Sequence, residues 1–303
     1  GVLDQLSGMR SQGRGGVPPR EVVALDGLLH DMRLRKSEHE VALMRQAAAT
    51  SARAHIAAMQ AVRPGMYEYQ LAATLHYTFE NDGMHWAYPS IVGAGENACV
   101  LHYIENSAPM ADGDLVLIDA GAEYRGYAGD ITRTFPVNGR FSDAQRELYE
   151  IVLAANRAAI EAARPGEPMN AIHQAALKVL VAGLIDVGLL EGTVDEAIDA
   201  ESYRAYFMHG TSHWLGMDVH DVGDYKVDGE WRLLEPGMAL TVEPGLYVRG
   251  QDNPSSRFAD IGIRVEDDIV ITETGCDVLT VDVPKDVDEI EALMAKPYRS
   301  ETP

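Results

Sequence analysis

Four carboxylates stand where this sequence otherwise places apolar residues. Asp119 ends the run LVLI, Glu243 ends ALTV, Glu266 lies inside GIRVEDDIVIT, and Asp130 falls in YAGDITRTF. An unpaired buried carboxylate is costly enough that it neutralises, pairs with a cation or binds a metal. Any one of these acids has a plain alternative, solvation or an arginine partner, in a chain with 47 Asp and Glu against 25 Lys and Arg. The segment HGTSHWLGMDVHD adds His209, His213 and His220, three of the ten histidines, for which a surface turn is the corresponding alternative. One histidine with four carboxylates carries a formal charge that two divalent cations neutralise, and an oxygen-rich donor set suits Mn better than a thiolate-seeking metal. Two histidines then remain for a substrate.

A weak internal repeat favours the metal reading over the plain one. AxGDLVLIDAG, ending at Gly121, aligns with LEPGMALTVEPG, ending at Gly245. In each copy a turn glycine (Gly113, Gly237) precedes the acid (Asp119, Glu243) by six positions, and a second glycine follows the acid by two. Leu101-His102 corresponds in the same way to Val219-His220, and each copy has a later strand with its own acid, Asp130 or Glu266. Solvated acids have no reason to recur at one offset from paired glycines. The repeat is too long and too divergent for a solenoid and points to two α+β halves across a shared sheet.

The elements that must position these residues are legible. Ser37 with Glu40, and Ser142 with Gln145, form capping boxes before apolar-periodic runs, predicting helices that stop at Arg63-Pro64-Gly65 and at about Ala163 before Arg164-Pro165-Gly166. Further helices are expected after each stop. Strands are predicted at SIVGAG, CVLHYIE, DLVLIDAGAEY, YAGDITRTFPV, MALTVEPGLYV, GIRVEDDIVIT and CDVLTV. Residues 11–20 are rich in Gly, Pro and Arg and read as an exposed connection.

Composition excludes several classes. With 303 residues and 46% hydrophobic content the chain can bury a large core, and its longest apolar stretch, residues 175–190, is broken by Lys178 and Asp186 well short of the roughly 20 residues of a membrane span. No secretory signal pattern opens the chain, so the cytoplasm is the expected compartment. Cys99 and Cys276 are expected to be reduced. A net charge of −22 repels phosphate backbones and excludes nucleic acid as a partner. Gly93-Ala94-Gly95-Glu96-Asn97-Ala98 matches a dinucleotide fingerprint, but the following CVLHYIE reads as strand where that motif needs a helix. Ser212, in GTSHW, lacks the closing glycine of a nucleophile elbow.

Taken together, LHYIEN, LVLIDAGAEYRGYAGDITRTFPVNG, FMHGTSHWLGMDVHDVG, EPGMALTVEPGLY and GIRVEDDIVIT resemble the metallopeptidases of the pita-bread fold, and within them the Xaa-Pro aminopeptidases, over about residues 32–295. The resemblance implies an α+β fold of two pseudo-symmetric halves around a curved, mainly antiparallel sheet. It implies five ligands to two Mn ions, Asp119, Asp130, His213, Glu243 and Glu266, with Asp130 and Glu266 bridging and with Co or Zn as possible substitutes. His102, His209 and His220 match the substrate-facing histidines, and Arg264 and Tyr247 match groups surrounding the metals, Tyr247 also being expected at the substrate. Residues 1–31 are then expected to be the remnant of an N-terminal domain plus a linker, and residues 32–303 the catalytic domain of a homodimer or tetramer.

The implied reaction is hydrolysis of the bond between an N-terminal residue and a following proline by a hydroxide bridging the two cations. His220 would polarise the carbonyl, Glu243 would pass a proton to the leaving nitrogen, and His102 and His209 would hold the peptide. Arg264, two residues before Glu266 on one strand face, would orient that carboxylate. A prolidase acting on Xaa-Pro dipeptides is the nearest alternative, though the His213-Trp214 pair favours the aminopeptidase. Methionine aminopeptidase fits the wording around Asp130 and His213 poorly, and a catalytically dead adaptor would be expected to have lost ligands that this chain keeps.

Overall fold

The computed structural model describes residues 23–296 together with Asp4, so the expected connection at 11–20 lies outside the described residues. The first half opens with α1 (Asp26–Leu34), α2 (Glu38–Ala61) and α3 (Glu68–Asn81). The Ser37 hydroxyl accepts from Glu40 N and the Glu40 carboxylate accepts from Ser37 N, which satisfies two donors that the start of α2 would otherwise orphan. The strands follow: β1 (His85–Trp86), β2 (Ile91–Ala94), β3 (Leu115–Asp119), β4 (Ala122–Tyr124), β5 (Tyr127–Ala128) and β6 (Thr132–Pro136).

The second half repeats the plan. A capping box at Ser142 opens α4 (Asp143–Ala162), followed by α5 (Asn170–Asp186) and the short α6 (Val194–Asp199). Its strands are the hairpin β7 (Lys226–Val227) and β8 (Glu230–Trp231), then β9 (Ala239–Val242), β10 (Gly245–Val248), β11 (Ile261–Arg264), β12 (Asp267–Ile271) and β13 (Cys276–Val278), with α7 (Val287–Met294) after them. The two turn glycines of the sequence repeat, Gly113 and Gly237, both take left-handed backbone, φ 93° and 87°, which a side chain would strain.

Every strand pair is antiparallel. The shared sheet is divided into ladders of two or three strands, chiefly β2-β3-β6 in the first half and β13-β12-β9 in the second, with β10-β11 beside them. Side chains and loose backbone join the halves: Glu266 N donates to Thr132 O (3.0 Å), and the Thr134 hydroxyl bonds both N and O of Arg264. One apolar cluster runs through both halves, from Met59 and Phe79 through Ile118 to Leu148, Leu240 and Ile269, each essentially withdrawn from water. Burial of that size, at about 25 cal/mol per Å² of apolar surface, is what fixes the sheet edges against each other. Among the described residues no helix is long and apolar enough to cross a membrane.

Two expectations need correction. CVLHYIE is not a strand: residues Gly95–Cys99 form a 3-10 turn and the chain then loops to Pro109. The cause is the buried carboxylate of Glu68 on α3, which accepts from Ala94 N (2.9 Å), Asn97 Nδ2 (3.0 Å), the Tyr103 hydroxyl (2.8 Å) and Ala108 N (2.8 Å), so the segment wraps around it and leaves the sheet. Neither form is the α-helix that a dinucleotide site requires. The predicted strands that carry the acids are each divided as well: DLVLIDAGAEY into β3 and β4, YAGDITRTFPV into β5 and β6, MALTVEPGLYV into β9 and β10, and GIRVEDDIVIT into β11 and β12, with Asp130, Glu243 and Glu266 in the breaks.

Candidate metal centre and active site

The apolar run of β3 is buried from Leu115 to Ile118 and delivers Asp119 to the end of the ladder, where it pairs in register with Thr132 of β6. Between them the chain folds back on itself so closely that a Cβ on Gly121 would lie 1.7 Å from the carbonyl oxygen of Gly129. Only glycine permits that approach, which turns Asp130 towards Asp119. Asp130 N donates to the buried carboxylate of Asp268 (2.9 Å), which fixes its backbone. In the second half β9 delivers Glu243 one residue beyond Val242, whose register partner is Asp267, so Glu243 and Glu266 flank the end of a matching ladder. Residues 211–215 run beside β9 as an irregular strand: Glu243 N donates to Thr211 O (2.8 Å) and Thr241 N to His213 O (3.0 Å). That pairing aims His213 at the acids.

Ligand atoms of Asp130, His213 and Glu266 all lie within 4.8 Å of one another. His213 Nε2 is 3.4 Å from Asp130 and 3.7 Å from Glu243. The Tyr88 hydroxyl stands between Asp119 (2.7 Å) and Asp130. Arg264 Nη2 donates to Asp119 (2.5 Å), Nη1 to the Tyr247 hydroxyl (3.1 Å) and Nε to the Thr132 hydroxyl (3.0 Å), which itself donates to Glu266 (2.6 Å). Arg264 therefore holds Asp119 directly and reaches Glu266 through Thr132, an arrangement that strand alternation could not anticipate once β11 and β12 are separate. Beyond Arg264, the Tyr247 hydroxyl meets His209 Nε2 (2.8 Å), while His209 Nδ1 donates to Gly210 O (2.6 Å).

The electrostatics are those of a site crowded with negative charge. Burial pushes the Glu243 carboxyl up to about 7 despite the nearby cations of His213 and Arg264. Burial and then the charges of Asp130, Glu243 and Asp119 drive Glu266 well above the carboxylate range. Asp119 is also raised by burial, with Arg264 opposing. Burial works against charge on Asp130 too, but the hydrogen bond and charge of His213 outweigh it and hold the carboxyl low. Burial likewise opposes charge on His213, yet Asp130 and Glu243 pull it up to about 9. His209 goes the other way, down to about 3, through burial and the Arg264 charge. Buried acids that hold one another's protons on, with a histidine held charged among them, are a donor set that a divalent cation would relieve, and the oxygen-rich composition fits Mg, Mn or a borderline metal.

These groups line a cavity of about 490 Å³. All five expected ligands face it, together with His102, His209, His220 and Arg264. The rings of His213 and His220 meet edge to face at 4.4 Å. Tyr247, expected at the substrate, does not line the cavity; it is wholly buried and touches it through His209. Sequence reasoning missed Tyr88 and Thr132. Thr132 offers no signal within a β-branched strand, whereas Tyr88, a phenol just before an apolar strand at Tyr-Pro-Ser, could have been flagged as a buried polar group needing partners.

Two α+β halves closing on a carboxylate and histidine cavity define the pita-bread architecture. The chain belongs to metallopeptidase family M24, which it matches over residues 42–273. It is 52% identical to the Xaa-Pro aminopeptidase of Escherichia coli K12, over 91% of this chain and 63% of that protein, and 47% identical to the Haemophilus influenzae Xaa-Pro aminopeptidase, over 90% and 64%. Among solved structures, the aminopeptidase PepP of Pseudomonas aeruginosa superposes with a TM-score of 0.95 at 57% identity, covering 97% of this chain and 67% of its own. The chain thus spans just under two-thirds of the curated relatives' length.

Proposed function

We propose that residues 32–303 are the catalytic domain of a dinuclear-metal Xaa-Pro aminopeptidase. The observation that carries this reading is the convergence of Asp119, Asp130, His213, Glu243 and Glu266 on one cavity bordered by three further histidines. The names of the similar proteins supply the proline specificity. Mn is the proposed metal, from the oxygen-rich donor set, and Asp119, Asp130, His213, Glu243 and Glu266 would hold it. Two such cations, when bound, lower the pKa of water and so supply a nucleophile at neutral pH.

The chain's own residues would do the rest. Glu243, at the end of β9 on the cavity wall, would take up a proton and give it to the leaving proline nitrogen. His220, whose charged form burial disfavours, would donate to the scissile carbonyl oxygen. His209 is held in one tautomer by Gly210 O and the Tyr247 hydroxyl, which leaves its ring fixed as a wall for the peptide, and His102 would contact the peptide from the same cavity. A cytoplasmic setting, with Cys99 and Cys276 as free thiols, and a homodimer or tetramer complete the proposal.

The test is hydrolysis of Ala-Pro-Ala by metal-stripped protein titrated with Mn, beside the dipeptide Ala-Pro and an Asp130→Asn variant. Recovery near two Mn per chain, confined to the tripeptide and lost in the variant, is the expected result. Cleavage of the dipeptide alone would mean a prolidase, and metal binding without cleavage of either would sink the peptidase reading.

A further inference from the structure

Glu243 and Glu266 leave the sheet at breaks, and a break withdraws strand partners from buried backbone groups, which then need others. Behind these two acids side chains take that part. Asn156, wholly buried on α4, places Nδ2 between Val242 O (3.1 Å) and Val265 O (3.3 Å), the carbonyls of the residues directly before the two acids. The other end of each peptide is held as well, because Glu243 N donates to Thr211 O (2.8 Å) and Glu266 N to Thr132 O (3.0 Å). Neither peptide plane can turn without losing a bond, so the directions in which the two carboxylates leave the backbone are set.

A group of charges fixes the amide in turn. Lys285 Nζ donates to Asn156 Oδ1 (2.9 Å) and to the Asp267 carboxylate (2.6 Å). An ammonium only donates, so Oδ1 must face Lys285 and Nδ2 must face the carbonyls. The Tyr149 hydroxyl, from the same helix as Asn156, donates to Lys285 O (2.9 Å). The other Asp267 oxygen accepts from Arg133 Nη2 (2.8 Å) and the Thr280 hydroxyl (2.8 Å), and Arg133 Nη1 donates to Glu266 O (2.6 Å). Successive residues of an extended chain point to opposite faces, and Glu266 lines the cavity while Asp267, Arg133 and Asn156 do not.

Metal ligands work only when held to within about 0.5 Å. We infer that Asn156, oriented by Lys285, is a positioning residue for the metal centre: one amide joins the peptides leading into Glu243 and Glu266, and so sets the spacing and aim of both from the face of the sheet away from the substrate. This rests on the reading of those two acids as metal ligands.

The experiment titrates metal-stripped wild type and variants with Mn by calorimetry and records the absorption spectrum of each protein loaded with Co. Asn156→Leu should weaken Mn binding about 10–100-fold, the scale for losing a partner that orients a ligand, and should shift the Co bands. Asn156→Gln, which keeps a carboxamide, should recover part of both. Leu153→Ala, on the same buried face of α4, removes no bond to either carbonyl and should lower the unfolding midpoint while leaving affinity and spectrum unchanged. If Asn156→Leu does not fold, Lys285→Met carries the same readouts, with Lys285→Arg as its conservative partner. Unchanged affinity and spectrum in the folded variant, or an equal loss in Leu153→Ala, overturns the inference. A wild type that binds no divalent cation would overturn the metal-centre reading and the inference with it, whereas failure to cleave Ala-Pro-Ala bears on the aminopeptidase reading alone.

Discussion

Lys36 Nζ lies 3.1 Å from the Asp221 carboxylate, and both side chains are all but sealed from water. Arg33 bonds the same carboxylate and also Asp218, while Arg35 pairs with Glu235 and Asp31 with Arg232. The end of α1 and the approach to α2 are thereby strapped to the loop that carries His213 and His220, and Asp221 is the residue directly after His220. Removing Lys36 leaves the buried Asp221 carboxylate with, among the described residues, Arg33 as its one cation and with its second oxygen unpaired. Lys36→Met should cost about 3–5 kcal/mol in urea unfolding, and Lys36→Arg should recover part of that. Under conditions where Lys36→Met remains folded, its kcat should fall more than its KM rises, because His220 loses its anchor.

His55 gives a stability that depends on pH. Its ring is fully buried with Nε2 on Ala120 O at 3.0 Å, and burial lowers it to about 4, the hydrogen bond opposing. The folded state therefore stays neutral where the unfolded chain already binds a proton. Stability from this group is present above the unfolded value near 6.5 and is lost as pH falls towards about 4, by about 3 kcal/mol in all. His55→Gln should be less stable at pH 7 yet show a shallower decline across that window in thermal unfolding; an identical decline would refute the assignment.

Thr132 is the hinge between Arg264 and Glu266. Thr132→Val keeps the shape but leaves Glu266 without its donor and Arg264 Nε without its acceptor. Loss of such a supporting partner typically weakens metal binding about 10–100-fold. Mn affinity measured by calorimetry should fall by that order with secondary structure unchanged, and an unaltered affinity would show that Glu266 is held by its backbone alone.

Gly121→Ala should not fold normally, since the added carbon would overlap the Gly129 carbonyl. Its expected signature is loss of the cooperative unfolding transition or a large drop in its midpoint. A normal transition would mean that the chain can open this crossing without consequence.

Helix starts cost less. Ser37→Ala removes the hydroxyl that accepts from Glu40 N and should lower stability by about 1 kcal/mol in denaturant titration.

The sequence made visible what is local in pattern. Ser37, Ser142 and the apolar runs ending at Asp119 and Glu243 declare themselves within a few residues, and the helices Glu38–Ala61 and Asp143–Ala162 and the strand ends stand where those signals put them. What stayed hidden depends on contacts between distant segments. Residues 99–105 have a strand's composition, but Glu68 of a remote helix takes the Tyr103 hydroxyl and, on either side of the segment, the backbone N–H groups of Ala94 and Ala108. Tyr88, Thr132 and the Lys36–Asp221 pair likewise acquire their significance only when the halves dock, and nothing in their immediate neighbours announces it.

The paired turns at Gly113 and Gly237 bear on ancestry. The first repeat contributes Asp119 and Asp130 to the cavity, and the second contributes His213, Glu243 and Glu266. Neither half carries the whole set. If the repeat records the doubling of one smaller gene, the product of that gene had to meet a second copy of itself before it could gather such a set. Fusion would then have freed the two copies to diverge, so that only one of them needed to keep the histidine.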